Sequence, residues 1–320
     1  MVNNEWNDLF IEMLYKKYPK RKDLIKALIE LLHIEREAIY RRLRKDIIFP
    51  TNEIIQIASN WNISMDDIIG VHSENAIFKM QLWNFINPSE KELHNMKTVI
   101  DGVKVLKKVP NVEYMEVCNK FPRVIVCGFP YLQRLDLLKW MYLYSNLEVL
   151  PFSKILTNEK VIRLSTSLRS AIKDLGTVSF IWDSLLFHYA VCDIQFFHSI
   201  YLINDQEKEI LKNNLYALLD YMSTVTHNGC WPETGNKVNL YISYINIDTN
   251  YLCYHCDGET KLFSISVFGK NELYTQNPIQ AEQYREWMMS KKRSSIQISE
   301  ADEKSRIEYF MKQRKTIDDL

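Results

Sequence analysis

The chain has 320 residues, 47% hydrophobic and 25% charged, which is the balance of a globular protein of two or three domains and excludes a disordered or fibrous one. Lys plus Arg equals Asp plus Glu at 40 each, so any nucleic-acid footprint has to be local. Glycine is scarce, at eight residues, and neither G-x-x-x-x-G-K-[ST] nor G-x-G-x-x-G occurs; H-E-x-x-H, G-x-S-x-G and H-x-E with a following P-C-x-x-C are absent too, so neither an enzyme nor a cofactor is expected.

The first residues, MVNNEWNDLF, lack a basic stretch followed by an apolar run, and the longest membrane candidate, Ser184 to Cys192, is nine residues interrupted by His188. A cytoplasmic protein without a membrane partner is expected. Trp6, Leu9, Phe10, Met13 and Leu14 mark an amphipathic helix ending near Tyr18-Pro19. From Asp23 to Leu32, the residues Leu24, Ile25, Leu28, Ile29, Leu31 and Leu32 have the spacing of a buried helical stripe. His33 and Ile34 make a turn, and a second helix runs from Glu35 to about Arg44. On that helix Ala38, Ile39 and Leu43 fall on one side, whereas Arg36, Glu37, Tyr40, Arg41 and Arg44 share the other within an arc of about 140°.

Between Lys16 and Lys45 there are eleven Lys or Arg against four acids, while Asp46 to Asp67 holds four acids and no base. Arg suits guanine N7 and O6, Glu37 a cytosine amino group, and Tyr40 a thymine methyl or a phosphate. Thr51 or Asn52 is placed to cap a helix with Ile54, Ile55, Ala58 and Trp61, and Ser64 with Asp67 to cap a short closing helix that buries Met65, Ile68 and Ile69 before Gly70. Five short helices then form one domain over residues 1–72.

The segment Asp23 to Gly70, with LLHIEREAIYRRL at the turn and ASNWNISMDDIIG at the end, resembles the lambda-repressor/Cro-like (XRE-type) helix-turn-helix transcriptional regulators. The resemblance covers the N-terminal domain only. It implies that Arg36, Glu37, Tyr40, Arg41 and Arg44 face double-stranded DNA, with Lys45 and Lys22 beside them. Four positions depart from that pattern. His33 stands where the family has glycine, Ile29 where it has a small residue and Glu35 where it has a Ser or Thr cap. Arg42 lies toward the packed side and needs an acid or a path outward.

Composition turns mixed from Val71 to Asn87, and residues 73–88 read as a linker. Ser89 with Glu92 then caps a helix carrying Leu93, Met96, Val99, Ile100, Val103 and Leu106, a candidate dimerising or signalling connector. Pro122 to Pro130 reads as a short buried strand or extended turn, and Leu135 to Tyr144, Ile162 to Ile172, Ile181 to Tyr201 and Asp205 to Thr224 as helices. His188 and His198 read as core or edge histidines ahead of ligand contacts.

Six cysteines read as thiols. His227-x-x-Cys230 followed by Cys253-x-x-Cys256 has a zinc-like spacing, but residues three apart on a strand point to opposite faces, so no metal is expected. Lys237 to Ile247, Asn250 to Cys256 and Thr260 to Phe268 alternate as strands, with Asp257-Gly258 as a hairpin turn. A helix from Ile279 to Met289, a strand from Ser294 to Ile298 and a helix begun by Ser299 and Asp302 complete the chain.

The fold expected is mainly α: a five-helix helix-turn-helix bundle, then a helical and α+β region over 89–320 with a small three- or four-stranded antiparallel sheet covered by helices on one face. The function expected is a homodimeric, sequence-specific DNA-binding transcriptional regulator with helix 35–44 in the major groove. The residues leave open an unknown small-molecule effector, an enzymatic or ligand-binding C-terminal region with an accessory helix-turn-helix domain, and a protein-interaction scaffold.

Overall fold

A computed structural model describes residues 5–61, 63, 78–144, 148–300 and 302–320. The chain forms two compact units, Met1–Ile77 and Phe78–Leu320, and its architecture is mainly helical with one mixed β-sheet.

The first unit contains α1 (Glu5–Lys17), α2 (Arg21–Leu32), α3 (Arg36–Leu43) and α4 (Thr51–Trp61). Their apolar stripes meet in one core: Phe10 and Leu14 from α1, Leu24 and Leu28 from α2, Ile39 and Leu43 from α3, Ile54 and Ile57 from α4. Each such side chain contributes about 1.5–3 kcal/mol by leaving water. Phe49, from the loop before α4, closes the core edge-to-face on Phe10 at 5.3 Å. Ile29 and Leu31 are only half-buried, on the flanks of the α2 stripe. Neither Thr51 nor Asn52 caps α4; the helix begins at Thr51, and the Pro50 carbonyl accepts from the Glu53 and Ile54 amides at 3.0 and 3.1 Å. The closing helix expected from Ser64 to Gly70 lies outside the described residues.

The second unit contains β1 (Lys79–Gln81), α5 (Glu90–Leu106), β2 (Glu113–Cys118), α6 (Arg123–Val126), α7 (Pro130–Leu143), α8 (Glu159–Lys173), β3 (Thr177–Asp183), α9 (Leu186–Ser199) and α10 (Asp205–Asn228). It continues with β4 (Lys237–Ser243), β5 (Tyr251–Cys256), β6 (Glu259–Val267), β7 (Asn271–Thr275), α11 (Pro278–Ser290), β8 (Ser295–Gln297) and α12 (Glu303–Asp318). The Ser89–Glu92 capping box expected for α5 is present in both directions.

Among the described residues the strands form one eight-stranded sheet in the order β1-β7-β6-β5-β2-β3-β4-β8. This corrects the small antiparallel sheet expected from the sequence. At its centre β2, β3 and β4 run parallel, joined by the helical crossovers α6–α8 and α9–α10. Strand β5 pairs with β2 and β6 and not with β4, so the turn at 248–250 changes place in the sheet instead of closing a hairpin. The hairpin at Asp257-Gly258 does form, both residues having positive φ (53° and 74°), as a tight two-residue turn requires.

Two further readings are corrected. Pro122 to Pro130 holds a helical turn, α6, and not a strand. The run from Ile181 is not helix throughout: β3 extends to Asp183 and α9 starts at Leu186. Asp183 makes that junction, one carboxylate oxygen accepting the Leu185 amide at 2.8 Å and the other the Ile247 amide at 2.9 Å.

Helices α5, α7–α10 and α12 pack on one face of the sheet, against Tyr114, Val178, Phe180, Trp182, Leu240 and Ile242. Among the described residues α11 is the helix that packs on the other, where Met115, Val117, Ile181, Tyr251 and Phe263 meet Ala281 and Met288. Lys79–Gln81, inside the span read as linker, pairs antiparallel with β7, and Phe85 is buried in the larger core.

Candidate functional site

In the first unit the chain leaves α2 through His33, whose backbone is left-handed (φ 53°) and whose amide donates to the Ile29 carbonyl at 3.0 Å. This turn sets α3 against α2. Glu35 precedes α3 in extended conformation and makes no side-chain cap.

The four arginines of this segment separate into two environments. Arg42 turns inward, where its guanidinium makes two hydrogen bonds to Glu53 of α4, both 2.6 Å, and a third to the Ala38 carbonyl at 3.1 Å. Arg36, Arg41 and Arg44 are exposed.

Each residue expected to meet DNA has a definite place. Tyr40 is half-buried, its ring lying 5.3 Å from the Arg21 guanidinium and 5.5 Å from that of Arg36, and its hydroxyl accepts from Arg36 at 3.1 Å. Glu37 is exposed and paired with Arg44 at 2.9 Å, while Arg44 also reaches Asp46 at 3.4 Å. Arg41 is exposed with no side-chain partner among the described residues, and so is Lys22 in the first turn of α2. Lys45 turns toward α1, where it pairs with Asp8 at 3.0 Å. Arg36, Glu37, Arg41 and Arg44 therefore share one exposed surface with the edge of Tyr40, and Lys45 is engaged elsewhere. Exposed pairs such as Glu37–Arg44 contribute only about 0–1 kcal/mol, so both side chains can exchange partners at low cost.

In the second unit a cleft of about 930 Å³ opens beyond the C-terminal end of β2, where Asn119 and Lys120 follow the strand. Ligand sites of α/β sheets occur at such strand ends. Aromatic walls come from Phe85, Phe121, Trp140 and Phe268. Phe268 is 70% exposed with φ 47°, a left-handed conformation that costs a bulky residue about 1–2 kcal/mol.

The cleft floor carries Glu116, only 6% exposed. Its carboxyl accepts from the Tyr114 hydroxyl at 2.5 Å and from the Asn250 amide at 3.5 Å. Burial pushes its pKa up to about 7, with the Glu272 charge adding to the rise and Lys120 and Arg123 opposing it. Asp136 is held below its ordinary value: burial raises it, but Lys270, Lys120 and Arg123 together outweigh that. Lys120 is lowered, first by burial.

None of these cleft residues stands out in the sequence. They come from β2, α6, α7 and β7 and converge only through the sheet order.

The histidines and cysteines weighed earlier lie apart. His188 touches Cys192 at 3.5 Å and His198 touches Asp205 at 2.8 Å. Cys253 faces the α11 side of the sheet and Cys256 the opposite side. No family model matches this chain, and no curated protein or solved structure matches it either.

Proposed function

We propose that this protein is a homodimeric, DNA-binding transcriptional regulator whose first unit is a helix-turn-helix domain presenting α3 to the major groove. The observation that carries the reading is the sorting of the arginines: Arg42 is committed to Glu53 inside the bundle, while Arg36, Arg41 and Arg44 stand outside on one face. A face meant only for solubility has no need of that division, or of the left-handed turn at His33 that fixes α3 against α2. An eight-residue helix reaches few base pairs, so two copies on two half-sites supply the specificity that one lacks.

The test is titration of labelled duplex with the full chain at low and moderate salt. Binding that weakens steeply as salt rises, with light scattering giving the mass of a dimer, supports the reading; absence of binding at low salt overturns it.

A second reading concerns the other unit, and the cleft favours it. A concave, aromatic-walled space with buried polar groups suits a small molecule, so we read Phe78–Leu320 as the effector-binding and dimerising part of the regulator.

A further inference from the structure

The charged residues of the cleft do not all pair with one another. Four cations line it, Lys120, Arg123, Lys139 and Lys270, and four acids, Glu116, Asp136, Asp193 and Glu272. Two pairs satisfy each other: Lys139 with Asp193 at 2.5 Å, and Lys270 with Asp136. That leaves two cations and two acids with no ion pair among the described residues.

The remaining four make no close ion pair among the described residues, although Lys120 and Arg123 act at longer range on Glu116 and Asp136. Lys120 donates to the Gly269 carbonyl, and the Arg123 guanidinium lies 5.7 Å from the Phe85 ring centre. Among the described residues the hydrogen-bond partners of Glu116 are neutral, Tyr114, Asn250 and Cys118, and Glu272 is half-buried. Lys120, Arg123 and Glu272 all lie close enough to act on the Glu116 charge. A buried carboxyl with no cation in hydrogen-bond contact is better satisfied when one arrives to pair with it.

A purely anionic molecule would meet Glu116 and Glu272, and a purely cationic one Lys120 and Arg123. We infer that the cleft binds a zwitterion with an apolar body, an amino acid or dipeptide, its ammonium toward Glu116 and Glu272 and its carboxylate toward Arg123 and Lys120. Phe85, Trp140 and Phe268 supply the surface against which a large apolar side chain is buried. The volume, about 930 Å³, holds a dipeptide with water beside it. This inference rests on reading the cleft as a ligand site.

The experiment uses the full chain and four probes: L-phenylalanine, the dipeptide L-leucyl-L-phenylalanine, and two analogues that each lack one charge, 2-phenylethylamine and 3-phenylpropionate. Ligand-observed NMR and calorimetry measure each affinity. A zwitterion that binds at least about tenfold more tightly than both analogues, and that loses a similar factor in Glu116→Gln and in Arg123→Gln, supports the assignment. Glu272→Gln, at a half-buried position, serves as a further variant if Glu116→Gln misfolds. An analogue that binds as well as the zwitterions overturns the ligand class and leaves the cleft as a ligand site. Failure of all four to saturate by about 10 mM overturns both.

Discussion

Arg42 of α3 and Glu53 of α4 form a doubly hydrogen-bonded ion pair at 2.6 Å, the two side chains only 13% and 11% exposed. The pair fixes the rotation of α3 about its own axis, and with it which arginines look outward. Removing Arg42 leaves the buried Glu53 carboxylate without its cation. Arg42→Ala is expected to destabilise the first unit by about 3–5 kcal/mol, measured by urea unfolding. Arg41→Ala, at an exposed position whose side chain has no partner among the described residues, is expected to change stability by less than about 0.5 kcal/mol. Equal losses in the two variants would refute the sorting.

The proposed docking on DNA predicts different parts for Arg41 and Lys22. Arg41→Ala is expected to cost about 1–3 kcal/mol on the preferred sequence and to relax preference at one or two base pairs. Lys22→Ala is expected to weaken specific and random duplex alike and to lower the salt slope by roughly one. Fluorescence anisotropy against both kinds of duplex, over a salt series, separates the two effects. Identical behaviour of the variants would place the docking face elsewhere.

Glu116 gives a pH signature. Its pKa rises from 4.5 to about 7 on folding, so between those values the folded chain holds a proton that the unfolded chain has released. Folding stability therefore falls as pH rises through that window and is level above it. The loss is at most about 3 kcal/mol, and Glu116→Gln should abolish it, making the variant more stable than the parent at pH 8 and nearly equal at pH 4. Denaturant unfolding of both proteins across this range is the measurement. Because the same substitution is expected to weaken zwitterion binding, a stabilised but non-binding variant cannot be explained as unfolding.

Asp183 supplies a further prediction. It is 1% exposed and accepts amides from two segments, Leu185 at the start of α9 and Ile247 after β4. Asp183→Ala leaves both amides unpaired in the interior and is expected to destabilise the second unit by about 2–5 kcal/mol. Asp183→Asn keeps one acceptor and should lose about half as much. Hydrogen exchange at Leu185 and Ile247, accelerated in both variants but less in Asn, checks the assignment.

The first unit was the more legible one because its helices are amphipathic and its stripes are exposed to the helical period. Leu24, Leu28, Ile39 and Leu43 repeat as one buried face would, and the wheel already turned Arg42 inward. The central strands were not legible for the complementary reason. Tyr114 to Cys118 and Val178 to Asp183 are buried on both faces, so they show no alternation, and an apolar run of that kind cannot be told from helix by its period. The hairpin β5–β6 was legible because Asp257-Gly258 is a local device. The cleft was not: Glu116, Lys120, Asp136 and Glu272 are brought together by the order of strands in a sheet, and no local spacing encodes that order.

Strand β1 bears on the cleft. The chain enters the second unit on three residues paired with β7, Gln81 opposite Glu272 and Lys79 opposite Tyr274, and the Trp83 amide is then held by Asn271 at 2.8 Å. The strand that carries Glu272 to the cleft is thus the same one to which the incoming chain is fastened. A short edge ladder is among the least costly parts of a sheet to open. A displacement of Glu272 therefore strains the Gln81 pairing directly, because the edge ladder and the cleft share one strand.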